Sequence, residues 1–183
     1  MSFERKIGPT YSKQRSPSVR ASMIIRAAAV TASLLAAAIC AAAERPEGLP
    51  EKARWEKVDR IVDGDTIVLM DRTRIRLHGI DAPEKSQPYG SESSTALENM
   101  VKQSVYLLEV DVDRYGRVVG QLYHSKEGYD INASLVCAGF AWWYERYAPN
   151  SKILQDCQSE AQQASRGLWR SESPMPPWEW RRR

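Results

Sequence analysis

The sequence predicts an α+β fold that is mainly β: a small, partly open barrel of five strands with about three helices attached. The strand-like runs and the helical patterns follow one another in an order that does not suggest β-α-β repeats. Hydrophobic residues make up 43% of the 183 residues, which allows a buried core and argues against wholesale disorder. This length fits one domain, or one domain with tails.

The five strands follow from residue alternation and turn signals. Asp63-Gly64 is a strong turn signal between the first two apolar runs. Arg74 to His78 alternates polar and apolar residues, which fits a strand with one polar face. The first three strands are therefore expected to form a meander. The predicted strands cover residues 57–62, 66–70, 74–78, 105–110 and 117–123.

Three helices are predicted from apolar spacing and from caps. The first covers residues 91–103, where Thr95 and Glu98 suit a capping box. The second is expected to begin after the capping residue Asp130 and to end at Gly139. The third is expected to begin after the capping residue Ser151 and to end at Gly167.

Residues 1–43 form a leader that is first basic and then rich in alanine. It carries six Lys or Arg against one acidic residue, and residues 27–43 form an apolar run that ends in small residues. This pattern is typical of a secretory signal peptide, so we expect a secreted or periplasmic protein. Met23 would be a more ordinary start, so residues 1–22 are a candidate mis-assigned start. The alternative is an uncleaved anchor that holds the domain on the membrane outside the cytoplasm.

The rest of the chain divides into three parts. Residues 44–56 are predicted to be a linker, residues 57–170 a single domain, and residues 171–183 a tail rich in Pro, Trp and Arg. The tail is too rich in proline to predict an element, its tryptophans are candidates to pack on the domain, and its last three arginines are expected to be solvated. Without the leader the chain has 20 basic and 22 acidic residues, which excludes a broadly basic nucleic-acid binder.

The three cysteines separate into one in the leader and two in the domain. Cys40 would leave with a cleaved leader, and Cys137 and Cys157 would remain as an even pair. In an oxidising compartment this pair favours one disulfide, and two buried thiols are the alternative.

Asp65, Asp81 and Glu84 are the candidate cation site. Asp65 precedes one predicted strand, and Asp81 and Glu84 follow the next, so pairing of those strands would bring the carboxylates to one rim of the barrel. Neighbouring carboxylates repel each other, and a hard divalent cation such as Ca²⁺ or Mg²⁺ relieves that repulsion. The alternative is that these acidic residues only form turns.

Two arginines accompany the acidic residues. Arg76 lies on the polar face of the third predicted strand, and Arg117 begins the fifth. Two guanidiniums beside a cation site suggest a phosphate clamp, because arginine binds phosphate oxygens in a bidentate manner. The alternative is that each arginine only makes the surface soluble.

The motifs in this order resemble the signatures of the staphylococcal nuclease (thermonuclease) family, over about residues 57–169. The segments that carry the resemblance are residues 63–66 (DGDT), 76–84 (RLHGIDAPE), 113–117 (DRYGR), 132–139 and 167–169. The resemblance implies an oligonucleotide-binding-type (OB-fold) barrel. It also implies a Ca²⁺-dependent endonuclease that acts on DNA and RNA and leaves 3′-phosphates.

The resemblance also assigns roles to individual residues. It implies that Ca²⁺ is bound by Asp65, Asp81 and the backbone carbonyl of Ala82, that Glu84 is the general base, and that Arg76 and Arg117 hold the phosphate. The better-known family member has a hydroxyl residue where this chain has Ala82. That difference has no consequence if only the carbonyl binds the cation.

Tyr115 and Tyr147 are candidate substrate-binding residues, either by stacking on the bases of single strands or by touching the phosphate on the 5′ side. Ordinary packing is the alternative for both. No obligate protein partner is predicted, and a monomer is expected. Contact with a membrane is expected only if residues 27–43 remain uncleaved. Two rival functions remain open at this point: an OB-fold module that binds nucleic acid without cutting it, and a calcium-stabilised surface module.

Overall fold

The computed structural model describes residues 45–183, so the leader, Cys40 and the predicted signal or anchor lie outside the described residues. None of the helices described between residues 45 and 183 is long and apolar enough to cross a membrane. In chain order the elements are β1 (Arg54–Asp63), β2 (Thr66–Leu69), β3 (Arg74–Leu77), β4 (Ile80–Asp81), α1 (Gly90–Val101), β5 (Ser104–Val112), β6 (Val118–His124), α2 (Ile131–Cys137), β7 (Trp142–Trp143), α3 (Lys152–Gln163), a 3₁₀ helix (Gly167–Arg170) and α4 (Pro177–Trp180).

Five strands close into a barrel in the order β1-β2-β3-β6-β5. The predicted antiparallel meander of β1, β2 and β3 is present, and β3 pairs with β6 in parallel. One strand can close the barrel because residues 54–57 of β1 pair with β5, while residues 58–63 pair with β2. The mainly β, α+β prediction is therefore confirmed. The barrel is closed rather than partly open, which removes free strand edges.

The core is built from apolar side chains that alternate along the barrel strands and from one face of each long helix. Because alternate residues of a strand point to the same side of the sheet, the inward set of each strand is buried together. β2 is buried along its whole length, on both faces. The largest fully buried side chains of the barrel strands are Ile67, Val68, Leu69, Ile75, Leu77, Leu107 and Leu122. Leu97 of α1, Leu135 of α2 and Leu154 of α3 belong to the same cluster, so the helices and the barrel share one core.

The structure corrects three predicted boundaries. β1 begins at Arg54, so the last residues of the predicted linker are strand. α1 begins at Gly90, after Tyr89 in a left-handed conformation with φ 69°, and it has no side-chain cap. The capping box predicted at Thr95 is therefore wrong, because that residue lies inside the helix. α3 ends at Gln163, and Gly167 instead begins the 3₁₀ helix.

Both other predicted helix caps are confirmed. The Asp130 carboxylate accepts a hydrogen bond from the backbone N–H of Ala133, and the Ser151 hydroxyl accepts one from Leu154. A disulfide joins Cys137, the last residue of α2, to Cys157 in α3.

The short strands β4 and β7 pair with each other outside the barrel. Each is two residues long, too short to show a period in the sequence. The tail also contains an element, since Pro177–Trp180 forms one helical turn with proline at its first position. The prediction that the tail forms no element is therefore wrong.

Candidate active site

Asp65 and Asp81 lie side by side at the rim of the barrel, and both are buried. The turn that carries Asp65 approaches β4 closely: a Cβ on Gly64 would stand 2.7 Å from the Cβ of Ala82, so only glycine fits there. The Asp65 carboxylate accepts a hydrogen bond of 2.7 Å from the backbone N–H of Ala82. The two strand ends therefore meet, as the sequence analysis expects.

Arg76 joins the two buried carboxylates. Its Nη1 lies 3.1 Å from Oδ2 of Asp65, and its Nη2 lies 2.7 Å from Oδ1 of Asp81. The Arg76 side chain is 16% exposed, so this shared ion pair is largely shielded from water. One guanidinium thus serves as counter-ion to two acidic groups.

Ionisation of the Asp65 carboxyl is unfavourable because the group is buried. Burial raises the pKa of the Asp65 carboxyl to about 7, and the nearby Asp63 and Asp81 add to the rise. Arg76 acts in the opposite direction but does not outweigh the loss of water. A further positive charge at this position would stabilise the ionised form, so the pair of carboxylates is suited to bind a cation.

Glu84 lies on the loop after β4, where two contacts hold its backbone in place. Its backbone N–H donates to the side-chain carbonyl of Gln87, at 3.1 Å. Gly90, the first residue of α1, lies so close that a Cβ there would stand 2.1 Å from the Glu84 carbonyl oxygen. The Glu84 side chain is 38% exposed, which leaves its carboxylate open to water in the cleft.

Arg181 is a residue of this site that the sequence analysis missed. Its Nη2 lies 2.7 Å from Oδ2 of Asp81, and its Nη1 lies 2.6 Å from Oε1 of Glu84. The carboxylates of Asp81 and Glu84 raise the pKa of the Arg181 guanidinium. All three terminal arginines were expected to be solvated; Arg181 is 44% exposed, but it is also paired with both carboxylates, which was not expected. No local sequence period could have indicated this contact, because it joins residues 97 and 100 positions apart.

Arg117 lies at the edge of the same cleft but contacts a different acidic residue. Its Nε lies 2.7 Å from Oδ2 of Asp113, within a turn in which Asp113 also accepts hydrogen bonds from the backbone of Tyr115 and Arg117. The guanidinium carbon stands 5.6 Å from the centre of the Tyr115 ring. Arg117 therefore faces the cleft from the β5–β6 turn, in a part of the chain separate from Asp65, Asp81 and Glu84.

Tyr115 and Tyr147 lie on the wall of this cleft with most of each side chain exposed, at 69% and 60%. Tyr147 meets Tyr144 edge to face, with ring centres 4.9 Å apart. The cleft has a volume of about 910 Å³. Its lining includes every predicted site residue, namely Asp65, Arg76, Asp81, Ala82, Glu84, Tyr115, Arg117 and Tyr147, together with Arg181.

A sequence model described as "Staphylococcal nuclease homologue" matches residues 74–171, more than half of the chain. The chain belongs to the staphylococcal nuclease family. The match covers Arg76, Asp81, Glu84 and Arg117, which line the cleft.

Curated relatives agree with this membership. The chain is 45% identical over 131 residues to an "Uncharacterized endonuclease" of Escherichia coli, an alignment that covers 69% of this chain and 84% of the relative. It is 39% identical over 138 residues to the "Micrococcal nuclease" of Shigella flexneri, covering 69% and 79%. It is also 38% identical over 176 residues to "Protein ParB" of Escherichia coli, covering 89% and 93%.

Asp65 and Asp81 are the two buried carboxylates of the cleft. Within residues 45–183, no group of three or more His, Cys, Asp or Glu side chains is placed to hold one. Asp65 and Asp81 already share one cation in the form of Arg76, and the Ala82 carbonyl follows directly in the chain. Oxygen donors of this kind fit a hard divalent ion that completes its coordination with water.

Proposed function

We propose that the chain is a calcium-dependent endonuclease that hydrolyses phosphodiester bonds of DNA and RNA and leaves 3′-phosphates. Membership of the staphylococcal nuclease family supports nuclease activity, and the names of the endonuclease relatives agree. The observation that carries the proposal is the convergence of Asp65, Asp81, Arg76 and Glu84 in one cleft of about 910 Å³.

Asp65, Asp81 and the backbone carbonyl of Ala82 would hold the calcium ion. A bound calcium ion supplies positive charge that stabilises negatively charged phosphoryl oxygens. Burial raises the pKa of the Asp65 carboxyl, so the positive charge of that ion would help to keep Asp65 ionised.

Glu84 is the proton acceptor in this proposal. Its exposed carboxylate can orient a water molecule for in-line attack on phosphorus and take one of its protons. The new bond joins the water oxygen to phosphorus, and the bond from phosphorus to the 5′ oxygen breaks. The 5′ hydroxyl product needs a proton, which the cleft can supply from water or from Glu84.

Arg76 and Arg117 stabilise the charge that grows on the phosphoryl oxygens. Arg76 lies between the two carboxylates and lines the cleft that a phosphate would enter, where its charge can act on the phosphoryl oxygens. Arg117 reaches the cleft from the turn after β5, where its pairing with Asp113 keeps it oriented. The exposed rings of Tyr115 and Tyr147 are placed to stack on bases beside the scissile bond.

The decisive test is digestion of plasmid DNA and of RNA by the purified protein, with calcium and with excess EGTA. We expect digestion only with calcium. Glu84→Gln keeps the shape of the side chain but cannot accept a proton, so turnover should fall by about 10²- to 10⁴-fold. Glu98→Gln is the matched control, because Glu98 is an exposed glutamate on α1 and does not line the cleft.

The rival functions predict different results in the same assay. An OB-fold module would shift DNA in a gel without cutting it. A calcium-stabilised surface module would melt at a higher temperature with calcium and leave DNA intact. Complete digestion in excess EGTA would contradict the calcium site.

We further propose that the domain works outside the cytoplasm, as a secreted or periplasmic protein. The composition of residues 1–43 and the Cys137–Cys157 disulfide support this location. Recovery of most of the native protein in the cytoplasmic fraction would contradict it.

A further inference from the structure

The C-terminal tail, residues 171–183, supplies a guanidinium to the acidic cleft. Arg181 bridges Asp81 and Glu84, and its Nη1 also lies 3.3 Å from Oδ1 of Asp81. Asp81 therefore contacts two arginines, Arg76 and Arg181, which approach different oxygens at their shortest distances. This residue lies outside the matched family segment, which ends at residue 171.

The tail is fixed to the domain by contacts that do not involve Arg181. Trp178 stacks on Tyr144 with ring centres 4.8 Å apart and planes 11° apart, and it meets Trp142 edge to face at 5.8 Å. The amide of Gln87 donates to the Met175 carbonyl at 2.7 Å. These contacts place Arg181 over the carboxylates, so its position follows from packing and not from charge attraction alone.

Gln87 connects the tail to the loop of the proposed general base. Its side chain is buried, with the amide nitrogen donating to Met175 and the amide oxygen accepting from the Glu84 backbone N–H. The tail and Glu84 are thus held in one hydrogen-bonded unit. A tail that only covered the surface would not need this connection.

The charges in the cleft indicate what Arg181 can bind. With Asp65, Asp81 and Glu84 ionised, the two arginines in contact with them leave one negative charge. A divalent cation changes that balance to one positive charge, which matches the single negative charge of a phosphodiester. Without Arg181 the same site with its cation would be neutral and would attract a phosphate less strongly.

For Glu84 to orient a water molecule, Arg181 has to leave the Glu84 carboxylate. While the guanidinium occupies Oε1 of Glu84, it competes with the water that the carboxylate has to orient. The two free oxygens of a phosphodiester can accept two hydrogen bonds from arginine, as the oxygens of a carboxylate do, so a phosphate can replace Glu84 as a partner of Arg181. An incoming strand can therefore draw Arg181 away from Glu84.

We propose that Arg181 is a further substrate-binding arginine, held on Asp81 and Glu84 in the free protein and transferred to a phosphate of the nucleic-acid strand on binding. This inference rests on the proposed nuclease function. It gives residues 171–183 a role in holding substrate.

The test is Arg181→Gln, with Arg182→Gln as the matched control because Arg182 is exposed and next in the chain. The probe is a fluorescein-labelled single-stranded oligothymidylate with phosphorothioate linkages, which resist cleavage, titrated with calcium present so that the cation site is filled. Loss of one charged bidentate contact should raise the Kd of Arg181→Gln by about tenfold or more. Arg182→Gln should change the Kd much less. In the cleavage reaction with calcium, KM for single-stranded DNA should rise much more in Arg181→Gln than in Arg182→Gln.

Calcium affinity distinguishes this role from a merely structural one. Removal of a positive charge beside Asp81 should leave calcium binding of Arg181→Gln unchanged or tighter by isothermal titration, while oligothymidylate binding weakens. A variant that only loosened the site would lose both affinities together.

A second variant tests the placement of Arg181 by the tail. Trp178→Ala removes the stacking on Tyr144 but keeps the guanidinium, and it should reproduce the loss of oligothymidylate affinity. The double variant Trp178→Ala/Arg181→Gln should lose little more, because both changes act through one contact. An additive loss would overturn the inference.

The remaining outcomes are equally distinct. If Arg181→Gln binds oligothymidylate as well as the wild-type protein or better, Arg181 is only a latch or a block, and the inference is wrong. An equal loss in Arg182→Gln would show a general charge effect and also overturn it. If the wild-type protein neither binds nor cuts nucleic acid, the proposed function itself fails.

Discussion

Asn132 satisfies three backbone groups at once although its side chain is almost fully buried. Its Oδ1 accepts from the N–H of Leu122 at 3.1 Å, and its Nδ2 donates to the carbonyls of His78 and Gly120 at 3.0 and 3.2 Å. These partners lie in β6 and directly after β3, so one amide at the start of α2 fixes the helix to the parallel strand pair.

Asn132→Ala should therefore be strongly destabilising. The change removes this partner from the Leu122 N–H and the His78 carbonyl in a buried place, while the Gly120 carbonyl keeps its hydrogen bond from the His78 N–H. A buried polar group left unpaired costs about 1–3 kcal/mol. Urea denaturation followed by circular dichroism measures the loss in free energy of unfolding. Asn150→Ala is the control, since Asn150 is exposed. A loss no larger than that of the control would show that water satisfies these groups.

The acidic part of the site could be predicted residue by residue, and the tail part could not. Asp65 and Asp81 lie next to turn and strand signals. The alternation of polar and apolar residues along β3 predicts on which face of the strand Arg76 lies. The contact of Arg181 depends instead on where Trp178 packs. That packing is a property of the folded surface, which a proline-rich stretch of sequence does not reveal.

The N-terminus of α2 depends on a carboxylate that is partly removed from water. Asp130 accepts from the backbone N–H of Ala133 and from the Gln121 amide, at 3.1 and 2.6 Å. Burial raises the pKa of the Asp130 carboxyl, although those two hydrogen bonds oppose the rise. The folded protein therefore holds this proton more tightly than the unfolded chain does.

This raised pKa gives a pH dependence with a definite sign. Its contribution to stability is fully present below the ordinary pKa of an aspartate and is lost as the pH rises through the raised pKa of the folded state. Asp130→Asn keeps a good cap but does not titrate. The stability of Asp130→Asn relative to wild type should thus increase with pH across that window, in urea melts at several pH values.

Two results complete that test. Asp130→Ala has no cap and should lose about 1 kcal/mol even where Asp130→Asn does not. A difference between Asp130→Asn and wild type that stays constant with pH would show that the pKa of Asp130 is not raised.

At the level of elements, the sequence pattern predicted an element correctly where the element is long and residues at its ends indicate where it begins and stops. The three strands of the meander show alternation and turns, and α2 and α3 show polar caps. α1 begins instead where Tyr89 takes a left-handed conformation and Gly90 lies against the Glu84 carbonyl. Those conditions come from the neighbouring loop, so a capping pattern pointed to the wrong residue.

Considered as a whole, the domain makes its cleft from distant parts of the chain. The barrel rim provides Asp65 and Arg76, β4 provides Asp81, and the tail provides Arg181, more than 100 residues after Asp65. The order of strand-forming and helix-forming runs was enough to predict the barrel. It was not enough to predict that the barrel is closed, since closure depends on the two-sided pairing of β1 with β2 and β5.

The disulfide between α2 and α3 should stabilise this whole arrangement without taking part in the chemistry. Cys137 and Cys157 are 20 residues apart, and neither lines the cleft. A crosslink of this span lowers the conformational entropy of the unfolded chain, which stabilises the folded protein by about 3 kcal/mol in the chain-entropy model.

Reduction with dithiothreitol should therefore lower the free energy of unfolding by about 3 kcal/mol. Cys137→Ser/Cys157→Ser should show a similar loss and should no longer respond to dithiothreitol. Nuclease activity measured well below the melting temperature should change little, because the residues of the cleft keep their own contacts. An unfolding midpoint that is the same with and without dithiothreitol would mean that the two thiols are free in solution, and the argument for an oxidising compartment would lose its structural support.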